Sequence, residues 1–404
     1  MKTILFVGAG LHQRRAIRRA RERALRVVAV DGDPDAPAFG DVDVAELVDF
    51  RDVDAVVEVA RRHAVDAVVT ISADRAVPVV AAVAEALGLP GIGRATAHVM
   101  TNKIAMRRRL AQLGVRQPRF AAVRTLHEAR LAAQVVGFPC VIKPADSGGQ
   151  RGVFRLESQH DIDRHLHAAL AESPTREAIL ESFHEGLELN GLVVVRGGEE
   201  TLLTLSDRLR PRGMGFGVGW IHVYPSSLFG EPLEAAEATA IRAVHTLGLR
   251  DGIAFPQLLV TDDGPLVVEV AARVPGGQMA DLAWHAIGVD IVEIALRQAL
   301  GEEVPDELVQ PRRAQPLAIR FLTAEPGPLP TGRVRRVGGL DRVLAAPGVV
   351  QAEVFLREGE TIRPVRLDGD RRGYVIAVAD TSVEALEHAE AAARLLEVEV
   401  DGAG

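Results

Sequence analysis

The chain is poor in cysteine, lysine and aromatic residues: one cysteine, three lysines and 4% aromatics in 404 residues. A single cysteine, Cys140, forbids an internal disulfide and a cysteine-rich zinc site. No apolar run approaches the ~20 residues that span a bilayer, and the opening stretch after Lys2 is too short for a signal peptide. The net charge of −8 argues against a general nucleic-acid binder. These absences lead to the expectation of a cytoplasmic protein with no membrane and no nucleic-acid partner. Lysine scarcity is of another kind. The 47 basic residues are 44 arginines plus Lys2, Lys103 and Lys143.

What is present is ordinary. With 48% hydrophobic and 25% charged residues, the composition excludes disorder and fibrous repeats. At roughly 150 residues per domain, the length suggests two to three domains. Thr3–Val7 reads as a buried strand, Gly8-Ala9-Gly10 as a tight turn and residues 11–25 as an arginine-rich helix with a solvated face. A second strand ends on Asp31, and the strand–helix alternation continues to a helix closed by Gly88. This pattern predicts a doubly wound parallel sheet over roughly the first 97 residues. Residues 96–113 read as one helical segment with Lys103 midway, and Thr125 with Glu128 forms a capping-box signature. A small α+β unit follows, built around the glycine-rich loop 146–152. Farther on, Asp263-Gly264 marks a hairpin, and the proline-bearing stretch 305–316 a boundary.

Three constellations can carry chemistry. Gly8-Ala9-Gly10 with Asp31 is like a dinucleotide fingerprint, but Gln13 stands where the third glycine belongs, so a plain turn is the better reading. Lys143 ends a buried strand and precedes Ser147, Gly148, Gly149 and Gly152. That loop can close over an anion with free backbone N–H groups; the alternative is a mobile hairpin. A chain that uses arginine almost everywhere keeps lysine at two internal sites. A compact ammonium fits between phosphate oxygens where a planar fork does not, so Lys103 and Lys143 are expected to bind phosphate. Third, Gln257 and Glu269 lie 12 positions apart around the hairpin turn, with Ala271 and Arg273 on the face of Glu269. Such a face is a candidate Mg²⁺–phosphate site or a solvated polar edge. Cys140 is expected in the core.

Taken in order, these motifs resemble the ATP-grasp ligases. The match runs through Asn102-Lys103, Gly137 to Pro144, the 147–152 loop, Leu180-Glu181-Ser182-Phe183 with Gly186-Leu187-Glu188, and Glu269 to Arg273. Among subfamilies the chain looks most like the carboxylate–amine ligases of the L-amino-acid (dipeptide) ligase type. The resemblance implies α/β and α+β domains: a doubly wound (Rossmann-like) preATP-grasp domain at 1–97, a linker helix and lid at 98–185, a grasp core at 186–308 and a C-terminal lobe at 309–404. It implies ATP and Mg²⁺ as cofactors, with small-molecule carboxylate and amine substrates, amino acids above all; a homodimer is left open. Lys103 and Lys143 would hold the phosphates, with Ser147, Gly148, Gly149 and Gly152 folding over them. Glu181 and Phe183 would meet the adenine and Glu188 the ribose. Glu269 and Gln257 would bind metal, with Glu269 and Arg273 catalytic. Read from its residues, the loop 210–219 with Trp220, His222 and Ser226 is a candidate wall of the acceptor pocket or merely a flexible loop. His222 is a candidate base for the amine or a structural histidine, and Gly276 and Gly277 join it as substrate candidates.

Two positions depart from the family. Gln257 replaces its first acidic metal ligand, and Ala271 stands where asparagine is usual. The expected reaction is amide or peptide bond formation through an acyl phosphate, releasing ADP and phosphate. The alternatives are a purine-biosynthetic carboxylating enzyme on the same scaffold, or a degenerate, non-catalytic ATP-binding protein.

Overall fold

The computed structural model describes residues 1–210 and 218–401. Four parallel strands form the first sheet in the order Val44–Leu47, Arg26–Asp31, Thr3–Val7, Ala67–Val69. Thr3–Val7 is buried along its whole length, as a central parallel strand with helices on both faces must be. Arg14–Glu22 packs on one face through Ala16, Ile17 and Ala20. Val53–Arg62 and Val77–Leu87 pack on the other through Val56, Val59 and Val83. The doubly wound architecture is as read, with one strand more. Val44–Leu47 is an edge strand of alternating exposure whose apolar signal is too weak to see in sequence.

Gln13 explains the first turn. It is 3% exposed, and its side chain bonds Val7 O, Thr70 Oγ1 and the Ile71 N–H. A Cβ on Gly8 would lie 2.9 Å from Gln13 Nε2, so the glutamine fills the space under the turn. Asp31 accepts the Ala9 N–H at 2.7 Å, so both marks of the fingerprint serve the loop's own backbone.

The arginine-rich helix is less solvated than expected. Residues 15, 19 and 23, spaced by four, share one face. Arg15 pairs with Asp281, Arg19 with Asp290 and Glu293, and Arg23 with Glu293 and Glu302. That face fastens the first domain to the helix Ile291–Ala299.

The second unit is an antiparallel sheet, Phe120–Val123, Ala178–Ser182, Cys140–Pro144, Phe154–Leu156, backed by Leu126–Val136 and Gln159–Ala171. Thr125 and Glu128 form the expected capping box. Cys140 is fully buried here, and burial pushes its thiol up to about 11. A small sheet of Thr361–Ile362, Gly332–Gly338 and Glu397–Val400 and an eight-stranded antiparallel sheet make the rest. Gly264–Ala272, Gly252–Thr261, Leu187–Arg196, Glu199–Leu209 and Ile221–Tyr224 run into Leu317–Phe321, Gly373–Val378 and Val349–Val354. Helix Glu231–Leu247 covers one face of its first half. Among the described residues, no helix is long and apolar enough to cross a membrane.

The segment read as one helix is two, Arg94–Thr101 and Lys103–Gln112. Asn102 adopts an extended conformation (φ −107°, ψ 112°), and its side chain caps the second helix at the Ala105 N–H, 3.0 Å away. The break puts Lys103 in the first turn of a helix, with its own N–H donated to Ala145 O at 2.7 Å. Loss of this cap in Asn102→Ala should destabilise the protein by ~1 kcal/mol in urea unfolding, with Asn102→Asp keeping most of it. Equal stability of the alanine variant would show that tertiary packing alone fixes the break.

Candidate active site

A cavity of about 370 Å³ lies between the second unit and the large sheet. Its wall includes Lys103, Lys143, Ser147, Gly148, Gly149, Glu181, Phe183, Glu188, Gln257 and Glu269. Of the residues expected at the nucleotide, Gly152 is set apart: it has φ +67°, and a Cβ there would meet Pro144 and Glu172.

At the centre sits Glu181, 4% exposed. Its Oε1 accepts from Arg107 Nε at 2.8 Å, and its Oε2 pairs with Lys143 Nζ at 2.7 Å. Desolvation would raise the carboxyl pKa, but the guanidinium and the ammonium outweigh it and hold Glu181 at about 2. Lys143 fares differently. Desolvation pushes it down, and Arg107 and Lys103 add to that, against Glu181. One carboxylate thus serves two cations, and Lys143 keeps unpaid desolvation that a bound anion would offset.

No sequence motif marks Arg107. It is 1% exposed, and its two terminal nitrogens donate to Val267 O (2.8 Å) and Val268 O (2.7 Å). Those carbonyls belong to a β-bulge. The ladder pairs Leu258 with Val267 but Gln257 with Glu269, leaving Val268 as the extra residue. Gln257 and Glu269 therefore do lie opposite each other, as read. Glu269 Oε1 is 3.0 Å from Lys103 Nζ, which also donates to Ser147 O at 2.8 Å. Lys103 is desolvated, yet Glu269, Asp74 and Glu181 raise its pKa.

The metal question turns on the donors present. Gln257 is also the cross-strand partner of Asn190, and their side-chain amides lie 3.5 Å apart. Glu269, Gln257 and Asn190 offer one carboxylate and two amide oxygens. Among the described residues, no group of three His, Cys, Asp or Glu side chains could hold a metal. This set fits Mg²⁺ bound mainly through phosphate and water, and does not fit an all-protein cage. Ala271, 7% exposed, is packed into the apolar core and offers no ligand.

Elsewhere on the wall, Glu188 pairs with Arg208 and Arg210. Arg155 stacks over the Phe183 ring, 4.1 Å from its centroid. Ser147 Oγ accepts from Arg75 at 3.1 Å, and a Cβ on Gly148 would come within 2.6 Å of Asp74 Oδ2. The close approach explains a glycine at 148.

A second chamber of about 410 Å³ shares Gly149, Asn190, Arg208 and Gln257 with the first. Arg273, His222, Gly276, Gly277, Asp74 and Arg371 line it. Arg273 meets Asp74 through two bonds, 2.7 and 2.9 Å, a partner 199 residues away that the sequence did not disclose. Arg208 pairs with Glu188 and Arg371 with Asp368 at 2.9 Å, while burial pushes both guanidiniums below their usual values. His222 is buried, and desolvation with Arg371 and Arg208 puts its pKa well below the ordinary value. Asn190 Nδ2 lies 3.1 Å from His222 Nδ1, so the neutral ring accepts there and keeps its proton on Nε2. Such a ring is a hydrogen-bond donor to the chamber and a poor base for an amine. Ser226 instead bonds Asp207 at 2.5 Å, and Trp220 is core. Of the loop expected at 210–219, residues 211–217 lie outside the described residues.

Residues 102–307, half of the chain, match the family model described as carbamoyl-phosphate synthase L chain, ATP binding domain. Residues 320–401 match L-amino acid ligase C-terminal domain 2. The chain is 29% identical over 406 residues to a formate-dependent phosphoribosylglycinamide formyltransferase of Ignicoccus hospitalis, covering 98% of this chain and 95% of that one. It is 28% identical over 306 residues to the uncharacterised protein y4rH of Sinorhizobium fredii, covering 74% of this chain and 60% of that relative's length. In fold it is similar to an L-amino acid ligase from Bacillus licheniformis, with TM-score 0.84 and 22% identity, covering 100% and 99% of the two chains. An N5-carboxyaminoimidazole ribonucleotide synthetase from Thermotoga maritima gives TM-score 0.76 at 20% identity, covering 99% and 100%.

The Glu181 cluster has a pH signature. A carboxyl held at about 2 against an ordinary 4.5 contributes stability that is complete above 4.5 and lost as pH falls toward 2. The loss amounts to ~3 kcal/mol. Glu181→Gln should be less stable near neutral pH and show a shallower decline between those values in urea titrations. An unchanged acid limb would mean that Glu181 is not charged in the fold.

Proposed function

We propose, from the premise that the chain belongs to the ATP-grasp superfamily of ADP-forming ligases, that it joins a carboxylate to an amine through an acyl phosphate. The observation that carries this reading is the shared wall of two chambers. One holds two buried lysines in a polyphosphate-sized cavity, and the other is lined by arginines suited to a carboxylate. A carboxylate in the second chamber, neighbouring Arg273 and Arg371, can reach a γ-phosphate held by Lys103 and Lys143 in the first.

The substrate carboxylate oxygen would attack the γ-phosphorus as the bridging oxygen leaves with ADP. The neutral amine would then attack the acyl carbon, expelling phosphate, which takes up the proton the nitrogen loses. Mg²⁺ at Glu269 and Gln257 would neutralise phosphate charge. Positioning and fixed charge supply the rate in such transfers, and the protein needs no covalent nucleophile. Lys143 is presented by Glu181, Lys103 by the Asn102 cap, and Arg273 is oriented by Asp74. His222 would donate from Nε2 to a substrate oxygen, with Gly277 leaving room beside it: a Cβ there would stand 3.2 Å from that nitrogen. The match of residues 320–401 to the L-amino acid ligase C-terminal domain supports amino acids as substrates.

A second reading, the purine type, draws on the end-to-end relative from Ignicoccus hospitalis and on Arg208, Arg371 and Arg372, which could meet a phosphate on the amine. One assay separates the two. With ATP and Mg²⁺, twenty L-amino acids form one arm; formate or bicarbonate with a phosphoribosyl amine forms the other. Amino-acid-dependent ADP and phosphate support the first reading, and turnover only in the other arm supports the second. AMP with pyrophosphate would contradict both. Lys143→Ala should lower turnover at least 100-fold, and undiminished turnover would remove Lys143 from the phosphate site.

A further inference from the structure

A third and larger chamber, about 810 Å³, opens between the first domain, residues 274–293 and the C-terminal lobe. It shares Leu11, His12, Ser72, Gly276, Gln278 and Phe355 with the arginine-lined chamber, so the two are continuous. Its inner wall carries a polar network that the nucleotide chemistry does not use.

Gln351 organises that network. Its Nε2 donates to Asp281 Oδ1 at 3.2 Å and to the Tyr374 hydroxyl at 2.6 Å, while its Oε1 accepts from His285 Nε2 at 3.0 Å. The Tyr374 hydroxyl donates to Glu353 Oε2 at 3.2 Å. Asp281 is 6% exposed, and Arg15 reaches the same Oδ1 that Gln351 does. Both side-chain contacts thus fall on one oxygen, and Oδ2 keeps lone pairs for a ligand. Burial raises the Asp281 carboxyl pKa, with Arg15 and Gln351 opposing. Asp281 comes from a short helix, Met279–Leu282, that passes into a π-helical turn over Ala283–Ile287; such turns are frequent at functional sites. That turn also sets Trp284 and His285 on the wall.

The charges here differ from those next door. Arg14 and Arg18 are taken by Asp41, and Arg19 by Glu22, Asp290 and Glu293. What remains at the inner wall is the Asp281–Arg15 ion pair with Glu353 near it, and Arg312 elsewhere on the lining. A free α-amino acid presents the complement: an ammonium, and at fixed distance a carboxylate.

We infer that this third chamber is the acceptor subsite, in which Asp281 holds the ammonium of an incoming amino acid and Arg15 its carboxylate. The inference rests on the ligase reading above. It divides the substrates by charge: the carboxylate to be activated lies among arginines, and the amine approaches along a wall with acids. Asp281 and Arg15 touch the amino acid, Gln351 is a positioning residue that orients Asp281, and the chemical step stays at the shared edge near Gly276.

The test uses the full chain with ATP, Mg²⁺ and the twenty L-amino acids, and reads ADP with condensation products by mass spectrometry. Asp281→Asn keeps the shape and should raise the KM for the amine at least 10-fold, leaving the KM for ATP within two-fold. Arg15→Leu should raise the KM for L-amino acids but not for their amides, which lack the carboxylate. An unchanged amine KM in Asp281→Asn would overturn the inference, as would an equal rise for amides and acids in Arg15→Leu. Hydroxylamine added to wild type separates the two levels. Hydroxamates would uphold the ligase reading whatever the variants do. Their complete absence with every amino acid would remove that reading and this inference with it.

Discussion

The site depends on the charge of Glu181. A buried carboxylate is expensive to desolvate unless cations and donors surround it. Here Arg107 takes one oxygen and Lys143 the other. Because Arg107 spends its remaining donors on Val267 and Val268, the same anion ties three parts together. These are the strand Ala178–Ser182, the helix Lys103–Gln112 and the bulge that sets Glu269 opposite Gln257. The cluster of Lys103, Arg107 and Lys143 against Glu181 and Glu269 has a cation in excess. That excess is what a polyphosphate would complete in the proposed function.

Much of this was legible because of rarity. Lys103 and Lys143 stand out in a chain with 44 arginines, and both line the first cavity. Arg107 is invisible for the same reason: one arginine among many carries no mark of being buried. Asp74 opens a short 3-10 helix of the first domain, and only tertiary folding brings it to Arg273. The hairpin is a subtler case. A regular ladder from the pair Thr261–Gly264 would set Gln257 against Val268, and the bulge moves it to Glu269. Gly264 marks the turn in the sequence, but nothing there marks the bulge, because Arg107 helps to fix it from another element. The helix break at Asn102 is hidden by helical periodicity that runs through it, although the family motif Asn102-Lys103 opens a helix there. Lys2 turns out to be a surface partner of Glu302 at 3.6 Å, a pair of little energetic weight.

The three connected chambers order the chemistry by charge. In the proposed reaction, lysines and a carboxylate–amide pair would face the phosphates, partly buried arginines the group to be activated, and a mixed wall with Asp281 the amine. His222 fits this scheme as a neutral donor, since the arginines that would hold an anion also keep its ring unprotonated. Gln257 and Ala271 leave few protein donors for metal, consistent with an ion held chiefly by the nucleotide.

The central claim is that a compact ammonium on Lys143, presented by Glu181, is what the phosphates require. Lys143→Arg keeps the charge and changes only its shape, so ADP affinity measured by titration calorimetry with Mg²⁺ tests it directly. The account predicts at least a 10-fold weaker Kd, because a guanidinium fork does not fit where the ammonium sits between Glu181 and the cavity. Wild-type affinity in Lys143→Arg would contradict it, and the scarcity of lysine would then carry no meaning for the site.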